Sequence, residues 1–368
     1  MVSIKTRQII WGKGAGRCYY CNASLIGDLM AGNEDANFGF IAHIVGEKEK
    51  SPRGDKVRSP LLADDPANLM LLCYPHHKLI DVDELANYLE QRLLDMKAEH
   101  EARVSILAGI KPDRASHMLR YGAKIGLNES PISFKRGRDA MVPRWYPADG
   151  ASIGIEILGN TATDGEDNFW RTEPDNLRRQ FDTILRPRIA SREITHLSVF
   201  ALGPIPLLVL LGHLLCDIVP AQVYQLHREP KPGWPWAEDG PNIDFRVGRP
   251  ATTAKTVALK LGISATINDD RIGAVLGKVP IWSVTAEAPH NDAMRHEADL
   301  GTFRRLMRGL YDEIKAKNGE DAIIHVFPAI PVSVAVELGR VRMPKSDLPL
   351  VVYDNMIGKG FVPRLEIK

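Results

Sequence analysis

Four potential metal ligands occur as two pairs with the same spacing. Two residues separate Cys18 from Cys21, and two residues separate Cys73 from His76 further along the chain. A structural zinc ion takes four thiolate or imidazole ligands in a tetrahedron, and one tight turn can supply two of them. We therefore predict that these four side chains bind one structural zinc ion. Its binding energy would stabilise an N-terminal module too small to bury a large core.

The remaining cysteine and the apolar segments indicate where the protein works. Cys216 lies in an apolar stretch and is expected to be a buried thiol, so no disulfide framework is predicted. Zinc thiolates suit a reducing compartment. No apolar run approaches the roughly 20 residues of a membrane span, and the N-terminus lacks the order of a signal peptide. We expect a cytoplasmic protein with no membrane partner.

Three further polar residues surround the second pair or precede it. His43 ends an apolar, strand-like run, while Asn68 and His77 flank Cys73 and His76 at a predicted turn into a helix. Over about residues 11–85 this pattern resembles the HNH endonucleases, the ββα-metal nuclease family. The resemblance implies that His43 is the general base that activates water. It also implies that Asn68 positions the base, and that His77 binds Mg²⁺ or another divalent cation on the scissile phosphate of DNA.

One position departs from the family pattern. Many members carry a carboxylate metal ligand immediately before the base, and here that position is Ala42. Either the cation keeps more water ligands or a carboxylate comes from elsewhere, with Asp55 as our candidate. His76 and His77 could exchange roles, since only geometry decides which imidazole faces the zinc. Asp81, together with Lys78, is either a supporting group of the site or part of a helix start.

The charge distribution limits the kind of nucleic-acid contact. The formal net charge is only +1, which argues against nucleic-acid binding over the whole surface. Basic residues are nevertheless concentrated in residues 1–20 and 48–58, the second stretch following His43. Such cations either contact DNA phosphates without sequence specificity or form a solvated loop. The basic residues are Lys5, Arg7, Lys13, Arg17, Lys48, Lys50, Arg53, Lys56 and Arg58.

The pattern changes after the nuclease-like segment, which we place at residues 1–82. Apolar residues at helical spacing follow until Lys111-Pro112, so residues 83–113 are predicted to be a connecting helix and linker. Residues 114–368 alternate strand-like and helical runs, which is typical of an α/β domain with parallel strands. The predicted fold class is α/β overall, with a small zinc-stabilised domain followed by a larger α/β domain.

The larger domain contains an internal duplication. Residues 199–212 align without gaps with residues 326–339 and are identical at six of fourteen positions, and Val223-Tyr224 is echoed by Val352-Tyr353. The halves would be about 114–250 and 251–368. In each half a strand is predicted to enter a helix through a proline-containing turn, where backbone N–H groups can receive phosphate. Two such helix N-termini would form one cleft for a ligand with several phosphates.

This duplicated arrangement resembles the SAVED domain, two fused CARF-like Rossmann halves that sense cyclic oligonucleotides. An HNH domain followed by SAVED resembles effector nucleases of bacterial CBASS anti-phage defence. The resemblance implies a cyclic di- or trinucleotide activator, double-stranded DNA as substrate, and a homo-oligomer, a dimer or larger on activation. Candidate ligand contacts are aromatic, basic and proline residues in predicted strand-end loops: Trp170, Arg171, Pro204, Tyr224, His227, Arg228, Trp234, Trp236, Pro289, His290, Phe327 and Pro328.

Two other functions stay open at this point. A restriction-type HNH endonuclease would use the C-terminal domain to recognise DNA, and it would cut without a messenger. A zinc-stabilised binding protein with an inactive nuclease is the third reading, and it is suggested only by Ala42. The presence of cleavage, and its dependence on cyclic nucleotides, separates the three.

Overall fold

A computed structural model describes residues 2–28, 33–128, 130–155, 162–229, 231–237, 241–356 and 358–368. The chain forms two compact units, Met1–Lys111 and Pro112–Lys368. The boundary therefore falls just before the proline that was predicted to end the linker. Within the described residues, no helix combines the length and the apolar character that crossing a bilayer requires.

Unit 1 is built around a ββα arrangement. Its helices and strands are α1 (Ile4–Lys13), β1 (Ile26–Asp28), β2 (Asn33–Asn37), β3 (Gly39–His43), α2 (Arg58–Leu62), β4 (Leu69–Cys73), α3 (Tyr74–Lys78) and α4 (Glu90–Ala108). β1 and β2 form an antiparallel hairpin, and β3 pairs antiparallel with β4. Residues 69–72 of β4 are fully buried, and α3 follows at once with Pro75 in its first turn, where a missing N–H costs nothing.

The predicted connecting helix is part of unit 1. Residues Leu79–Asp83 and Leu85–Asn87 form short irregular turns, so α4 begins at Glu90 instead of residue 83. The buried Lys97 of α4 donates to the Leu69 carbonyl at 2.8 Å. His100 stacks on Tyr19 with ring centroids 4.3 Å apart. Because these contacts hold α4 on the core of the unit, it is a structural layer and not a free connector.

Unit 2 contains two mainly parallel sheets covered by helices. Its elements are β5 (Ala115–Gly122), α5 (Phe134–Met141), β6 (Tyr146–Pro147), β7 (Ile153–Gly154), α6 (Asp167–Gln180), α7 (Arg186–Ala190), β8 (Leu197–Leu202), α8 (Ile205–Leu215), β9 (Ala221–Val223), β10 (Phe245–Gly248), β11 (Thr256–Gly262), α9 (Asp269–Leu276), β12 (Ile281–Ala286), α10 (Glu297–Asn318), β13 (Ile323–Ala329), α11 (Val332–Val341), β14 (Leu350–Met356) and β15 (Gly360–Ile367).

The first sheet has the order β6-β5-β8-β9, and β7 also pairs with β5. The second has the order β10-β12-β11-β13-β14-β15, with antiparallel strands at both edges of a parallel centre. Because β10 pairs with β12, the second sheet already includes residues 245–248, which the sequence placed in the first half. Helix α8 connects the parallel neighbours β8 and β9, and helix α11 connects the parallel neighbours β13 and β14.

The two aligned segments adopt the same structure. Val199 lies opposite Val223 in the first sheet, and Val326 lies opposite Val352 in the second. The next residues form equivalent aromatic stacks. Phe200 lies on Tyr224 and Phe327 lies on Tyr353, both with ring centroids 4.4 Å apart. The unit β8-α8-β9 of the first half is thus repeated as β13-α11-β14 in the second half, with the same aromatic packing.

Helices α8 and α11 pack against each other through two equivalent glycines. A Cβ atom on Gly212 would meet the carbonyl group of Val336 and lie 3.0 Å from the Arg340 nitrogen. A Cβ atom on Gly339 would meet the carbonyl group of Val209 and lie 2.6 Å from the His213 nitrogen. The contact is reciprocal, as expected for a pseudo-twofold interface between related halves.

Candidate functional site

The four predicted zinc ligands come together in unit 1. One ligand atom from each of Cys18, Cys21, Cys73 and His76 lies within 4.8 Å of the other three. Sγ of Cys73 is 3.0 Å from Nδ1 of His76, and Sγ of Cys21 is 4.0 Å from Sγ of Cys73. Thiolates about 2.3 Å from a tetrahedral zinc ion lie about 3.8 Å apart. The donor set and its spacing fit zinc, and they select His76 instead of His77 as the imidazole ligand.

Local backbone geometry positions these ligands. The Cys18 N–H donates to the Ala23 carbonyl, and the Tyr19 N–H donates to the Leu71 carbonyl of β4 at 2.9 Å. The turn that carries Cys18 and Cys21 is therefore fixed to the strand that ends at Cys73. Cys73 ends β4 and precedes α3, which places His76 one turn later. Tyr20 stacks on the His76 ring with centroids 4.1 Å apart.

The electrostatics of the cluster favour a bound cation. Burial opposes ionisation of Cys18, but backbone N–H groups, first that of Cys21, hold the pKa of its thiol below the usual value. Burial and then the neighbouring thiols Cys18 and Cys21 raise the pKa of Cys73 to about 11. A cation is needed to keep three thiolates together at neutral pH.

His43, the predicted base, is the last residue of β3. Its Nε2 atom lies 3.0 Å from the Ala63 carbonyl oxygen. A carbonyl oxygen can only accept, so in the neutral ring Nε2 carries the proton and Nδ1 keeps its lone pair. The residue is half-buried. This tautomer is suited to accept a proton from water at Nδ1.

Asn68 holds the chain segment that follows His43. Its side chain is buried; Oδ1 accepts from the Val45 N–H at 2.7 Å, and Nδ2 donates to the Val45 carbonyl at 2.9 Å. Nδ2 also donates to the Leu62 carbonyl at 3.2 Å. Because backbone groups engage both ends of the amide, Asn68 is placed to position the loop after the base and not to bind a cation.

His77 is held by a carboxylate and an arginine. Its Nε2 lies 3.2 Å from Oδ2 of Asp81, whose Oδ1 accepts from Arg53 at 2.5 Å. Burial opposes ionisation of Asp81, yet the hydrogen bonds from His77 and Arg53 hold its pKa below the usual value. The carboxylate therefore accepts from Nε2–H and leaves Nδ1 of His77 for a cation. Metal-binding histidines are commonly oriented in this way.

Arg53 connects the two histidines. It donates to the backbone carbonyls of His43 at 3.3 Å, Ile44 at 2.7 Å and Ile80 at 3.2 Å, in addition to Asp81. The sequence placed Arg53 among residues that contact phosphates, but its guanidinium is used inside the unit. Arg53 has a positive φ of 55° in a Pro-Arg-Gly turn, a backbone conformation that the residue type alone does not predict.

Asp55 has a role that was not predicted from the sequence. Its Oδ1 accepts from the Val57 N–H at 2.8 Å and the Arg58 N–H at 2.7 Å, so it caps the start of α2. These two bonds, first that of Arg58, hold its pKa below the usual value. In the described ranges, the zinc cluster is the only group of three or more potential ligands close enough to share an ion. Oδ1 of Asp55 is thus used as a helix cap, and its assignment as the carboxylate missing at Ala42 stays a prediction.

Most aromatic residues predicted to touch a ligand in unit 2 belong to its core. Tyr224, Trp234 and Phe327 are buried in aromatic clusters, and the Trp170 Nε1–H donates to the Asp164 carbonyl at 2.7 Å. Phe327 lies in β13, Tyr224 and Trp234 follow β9, and Trp170 lies in α6; all four belong to hydrophobic core clusters. Pro204 and Pro328 are also buried, whereas Arg171 is exposed.

Some of the N–H groups at the two helix N-termini that were predicted to receive phosphate have acceptors within the protein. The Ser333 N–H in the first turn of α11 donates to Gln225 Oε1 at 3.1 Å, and the Ser333 hydroxyl donates to the same oxygen at 2.7 Å. In α8, Pro206 has no N–H, and the Leu207 N–H donates to the Pro204 carbonyl at 3.0 Å. These N–H groups are therefore not available to a phosphate, and the binding of phosphate at the two helix starts stays a prediction.

Five other predicted ligand contacts lie in the loops after β9 and β12. Asp292 accepts from the Arg228 N–H at 3.1 Å, and the His290 carbonyl accepts from the Ala293 N–H at 3.0 Å. His227 contacts Trp236 with ring centroids 5.7 Å apart. Arg228 and His290 are exposed, and Trp236 and Pro289 are half-buried. This group is the best candidate for a ligand-binding surface in unit 2.

A comparison with protein families identifies unit 2. The family described as "SMODS-associated and fused to various effectors sensor domain", SAVED, matches residues 177–367, just over half of the chain. The chain belongs to the SAVED family. The match begins within α6 and ends with β15, so it includes the whole second sheet but only strands β8 and β9 of the first. None of the curated proteins compared matches the chain.

Solved structures give a weaker likeness. The chain is similar to the Acinetobacter baumannii Cap4 SAVED/CARF-domain-containing receptor with the cyclic trinucleotide 2'3'3'-cAAA, with TM-score 0.44 and 11% identity over 84% of this chain and 59% of that chain. It is also similar to the Moraxella osloensis Cap4 receptor, with TM-score 0.41 and 10% identity over 86% of this chain and 70% of that chain. The chain thus spans about three-fifths of the first receptor.

Proposed function

We propose that this protein is a cyclic-oligonucleotide-activated, metal-dependent DNA endonuclease of CBASS-type anti-phage defence. Unit 1 would be an HNH nuclease that hydrolyses double-stranded DNA, and the SAVED unit would bind a cyclic di- or trinucleotide. The observation that carries the nuclease assignment is the Arg53 bridge. It ties the backbone of His43 to the carboxylate that orients His77. That carboxylate leaves Nδ1 of His77 available, and the Ala63 carbonyl at Nε2 leaves Nδ1 of His43 available.

The residues of unit 1 would act on water and phosphate as follows. His43 Nδ1 accepts a proton from a water molecule while the water oxygen bonds to phosphorus, and the bond from phosphorus to the leaving sugar oxygen breaks. Ala63 keeps His43 in the reactive tautomer, and Asn68 fixes the following loop. A divalent cation at His77, such as Mg²⁺, would supply positive charge to the leaving oxygen. The zinc ion would hold the end of β4 against the turn that carries Cys18 and Cys21.

Activation would follow from assembly. One HNH module cuts one strand at a time, so a double-strand break needs two modules close together. A sensor that forms dimers or larger homo-oligomers on binding its messenger would bring them together. The exposed basic residues near the active site would contact DNA phosphates, which fits cleavage with little sequence preference.

A cleavage assay with purified full-length chain, plasmid and Mg²⁺ tests the proposal. We expect double-strand cutting only when a cyclic di- or trinucleotide is present, together with a ligand-dependent rise in mass by light scattering. His43→Ala should abolish cutting and leave assembly intact. Asp55→Ala removes a helix cap in the same unit and tests its assignment as a cation ligand, because retained cutting would rule that assignment out.

Each alternative gives a different result. Cleavage without any messenger would contradict gating and support a restriction-type nuclease whose C-terminal unit recognises DNA. Ligand binding and assembly without cleavage at any cation tested would indicate an inactive nuclease. Loss of assembly in His43→Ala would contradict the division of labour between the units.

A further inference from the structure

Several buried polar atoms in the SAVED unit have no hydrogen-bond partner. Among the described residues these include Nε2 of His227, Nε1 of Trp236, Nε2 of His296 and Oδ2 of Asp299. The side chains of His227, His296 and Asp299 are only 7%, 8% and 3% exposed. Buried polar groups nearly always have a partner, because leaving one without a partner costs its full desolvation penalty. A cluster of four indicates a missing binding partner.

Hydrogen bonds and one ring contact connect the segments that carry these four residues. The Ala237 N–H donates to the Arg295 carbonyl at 3.0 Å, and Nδ1 of His296 donates to the Ala237 carbonyl at 3.1 Å. His227 contacts Trp236 edge to face, and the Asp299 N–H donates to the His296 carbonyl at 3.2 Å. His227 and Trp236 follow β9 of the first sheet, whereas His296 and Asp299 begin α10 of the second.

The free atoms offer complementary hydrogen-bonding capacity. Because Nδ1 of His296 donates to a carbonyl, Nε2 of its neutral ring is an acceptor. The Trp236 Nε1–H can only donate, and Oδ2 of Asp299 is a second acceptor when ionised. Burial lowers the pKa of His227, so its ring is neutral near pH 7. The cluster therefore suits a planar partner with N–H donors beside one acceptor.

The surroundings suit a charged, phosphate-bearing partner. Arg228 is exposed, and no carboxylate in the described part of the chain lies within ion-pair distance of its guanidinium. Its own N–H and that of Glu229 both donate to Asp292, which fixes the backbone next to His227. An aromatic ring, mixed donors and acceptors, and an exposed guanidinium on the residue next to His227 are together the chemistry of a nucleotide site.

We propose that His227, Trp236, His296 and Asp299 form a base-recognition pocket that accepts a nucleobase bearing an exocyclic amino group. The amino group donates to His296 Nε2 and Asp299 Oδ2, and the base accepts from Trp236 Nε1–H. Arg228 contacts the adjoining phosphate. This inference rests on the proposed messenger-sensing function and assigns specificity to residues within it.

Titration calorimetry with matched cyclic oligonucleotides tests the pocket. One ligand of each pair carries adenine or guanine, and the other carries hypoxanthine, which lacks the amino group. The unaltered protein should bind the amino-bearing ligand about ten- to a hundredfold more tightly. Asp299→Asn replaces one acceptor by a donor with little change in shape. This variant should reduce the affinity ratio to about one or invert it, and Trp236→Phe should weaken binding of all ligands about tenfold.

Trp282→Phe is the matched control, because Trp282 is also buried with a partnerless Nε1 but lies in β12. It should leave both affinity and ratio unchanged, and melting temperatures should show that all variants fold. An unchanged ratio in Asp299→Asn with unchanged affinity in Trp236→Phe would mean that ordered water alone fills the cluster, and would overturn the pocket. Absence of binding to the unaltered protein would refute the proposed function itself, and the pocket with it.

Discussion

Replacing Gly212 by alanine tests the contact between the two halves of the SAVED unit. The new methyl group would meet the carbonyl group of Val336 and lie 3.0 Å from the Arg340 nitrogen. Both atoms belong to the backbone of α11, so no flexible side chain can move aside. Overpacking of this kind costs about 3 kcal/mol or more when the neighbour cannot yield. The gain in helix propensity returns about 1 kcal/mol, so we expect a net loss of at least about 2 kcal/mol.

Gly309→Ala in α10 provides the matched control. A Cβ at Gly309 meets no other atom within 4 Å, so the same substitution should stabilise the protein by up to about 1 kcal/mol. Gly339→Ala should behave like Gly212→Ala, and the double variant should lose less than the sum because both glycines serve one interface.

Urea unfolding followed by tryptophan fluorescence is the assay. Five of the six tryptophans lie in the SAVED unit, so the signal reports mainly on that unit. A Gly212→Ala protein as stable as the unaltered one would refute the close contact of α8 and α11. Equal losses in Gly212→Ala and Gly309→Ala would show that the effect does not come from the interface.

Three further measurements address the metal cluster, the acid response and the loop after the base. Cys18→Ser should lose bound zinc by elemental analysis and unfold unit 1, whereas Cys216→Ser should keep its zinc; equal zinc contents would contradict the cluster. Burial, then the charges of Arg340 and Arg114, lower the pKa of His196 to about 4. The unfolded chain takes up this proton near pH 6.5, so stability is fully present above that pH and falls between about pH 6.5 and 4. His196→Phe should flatten this slope in urea midpoints, and an unchanged slope would exclude His196 as the cause. Asn68→Ala should lower the free energy of unfolding by about 1–3 kcal/mol and speed hydrogen exchange of the Val45 amide. Unchanged exchange would argue against the hydrogen bonds from Asn68 to Val45.

Features set by local covalent spacing were predictable from sequence. Ligands two residues apart can bind one ion from a single turn, so Cys18 and Cys21 could be paired with Cys73 and His76 before any fold was known. The duplicated segments were equally visible, because equivalent packing around Gly212 preserved residue types at fixed spacing. His76 and His77 could be separated only by geometry, since one position along a helix rotates the side chain by about 100°.

Features set by tertiary contacts were not predictable. Asp55 and Asp81 are both carboxylates near basic residues, and only the fold shows that one caps α2 while the other holds His77. Tyr224 and Phe327 have the composition of a ligand surface, yet the pleat turns both into the core. His296 and Asp299 were missed because polar residues at a helix start look like ordinary caps. What distinguishes them is a missing hydrogen-bond partner, which a sequence does not record.

The two halves of the SAVED unit have kept their packing and diverged in their polar groups. Ser333 in α11 needs an acceptor for its N–H, and Gln225 supplies it. The aligned residue in α8 is Pro206, which has no N–H to satisfy, so no matching acceptor is required there. By the alignment of Val223 with Val352, the counterpart of His227 is Met356, which cannot provide an imidazole. The proposed pocket around His227 therefore has no symmetric counterpart within the SAVED unit, and a symmetric cyclic ligand would place different bases in different environments of the same chain.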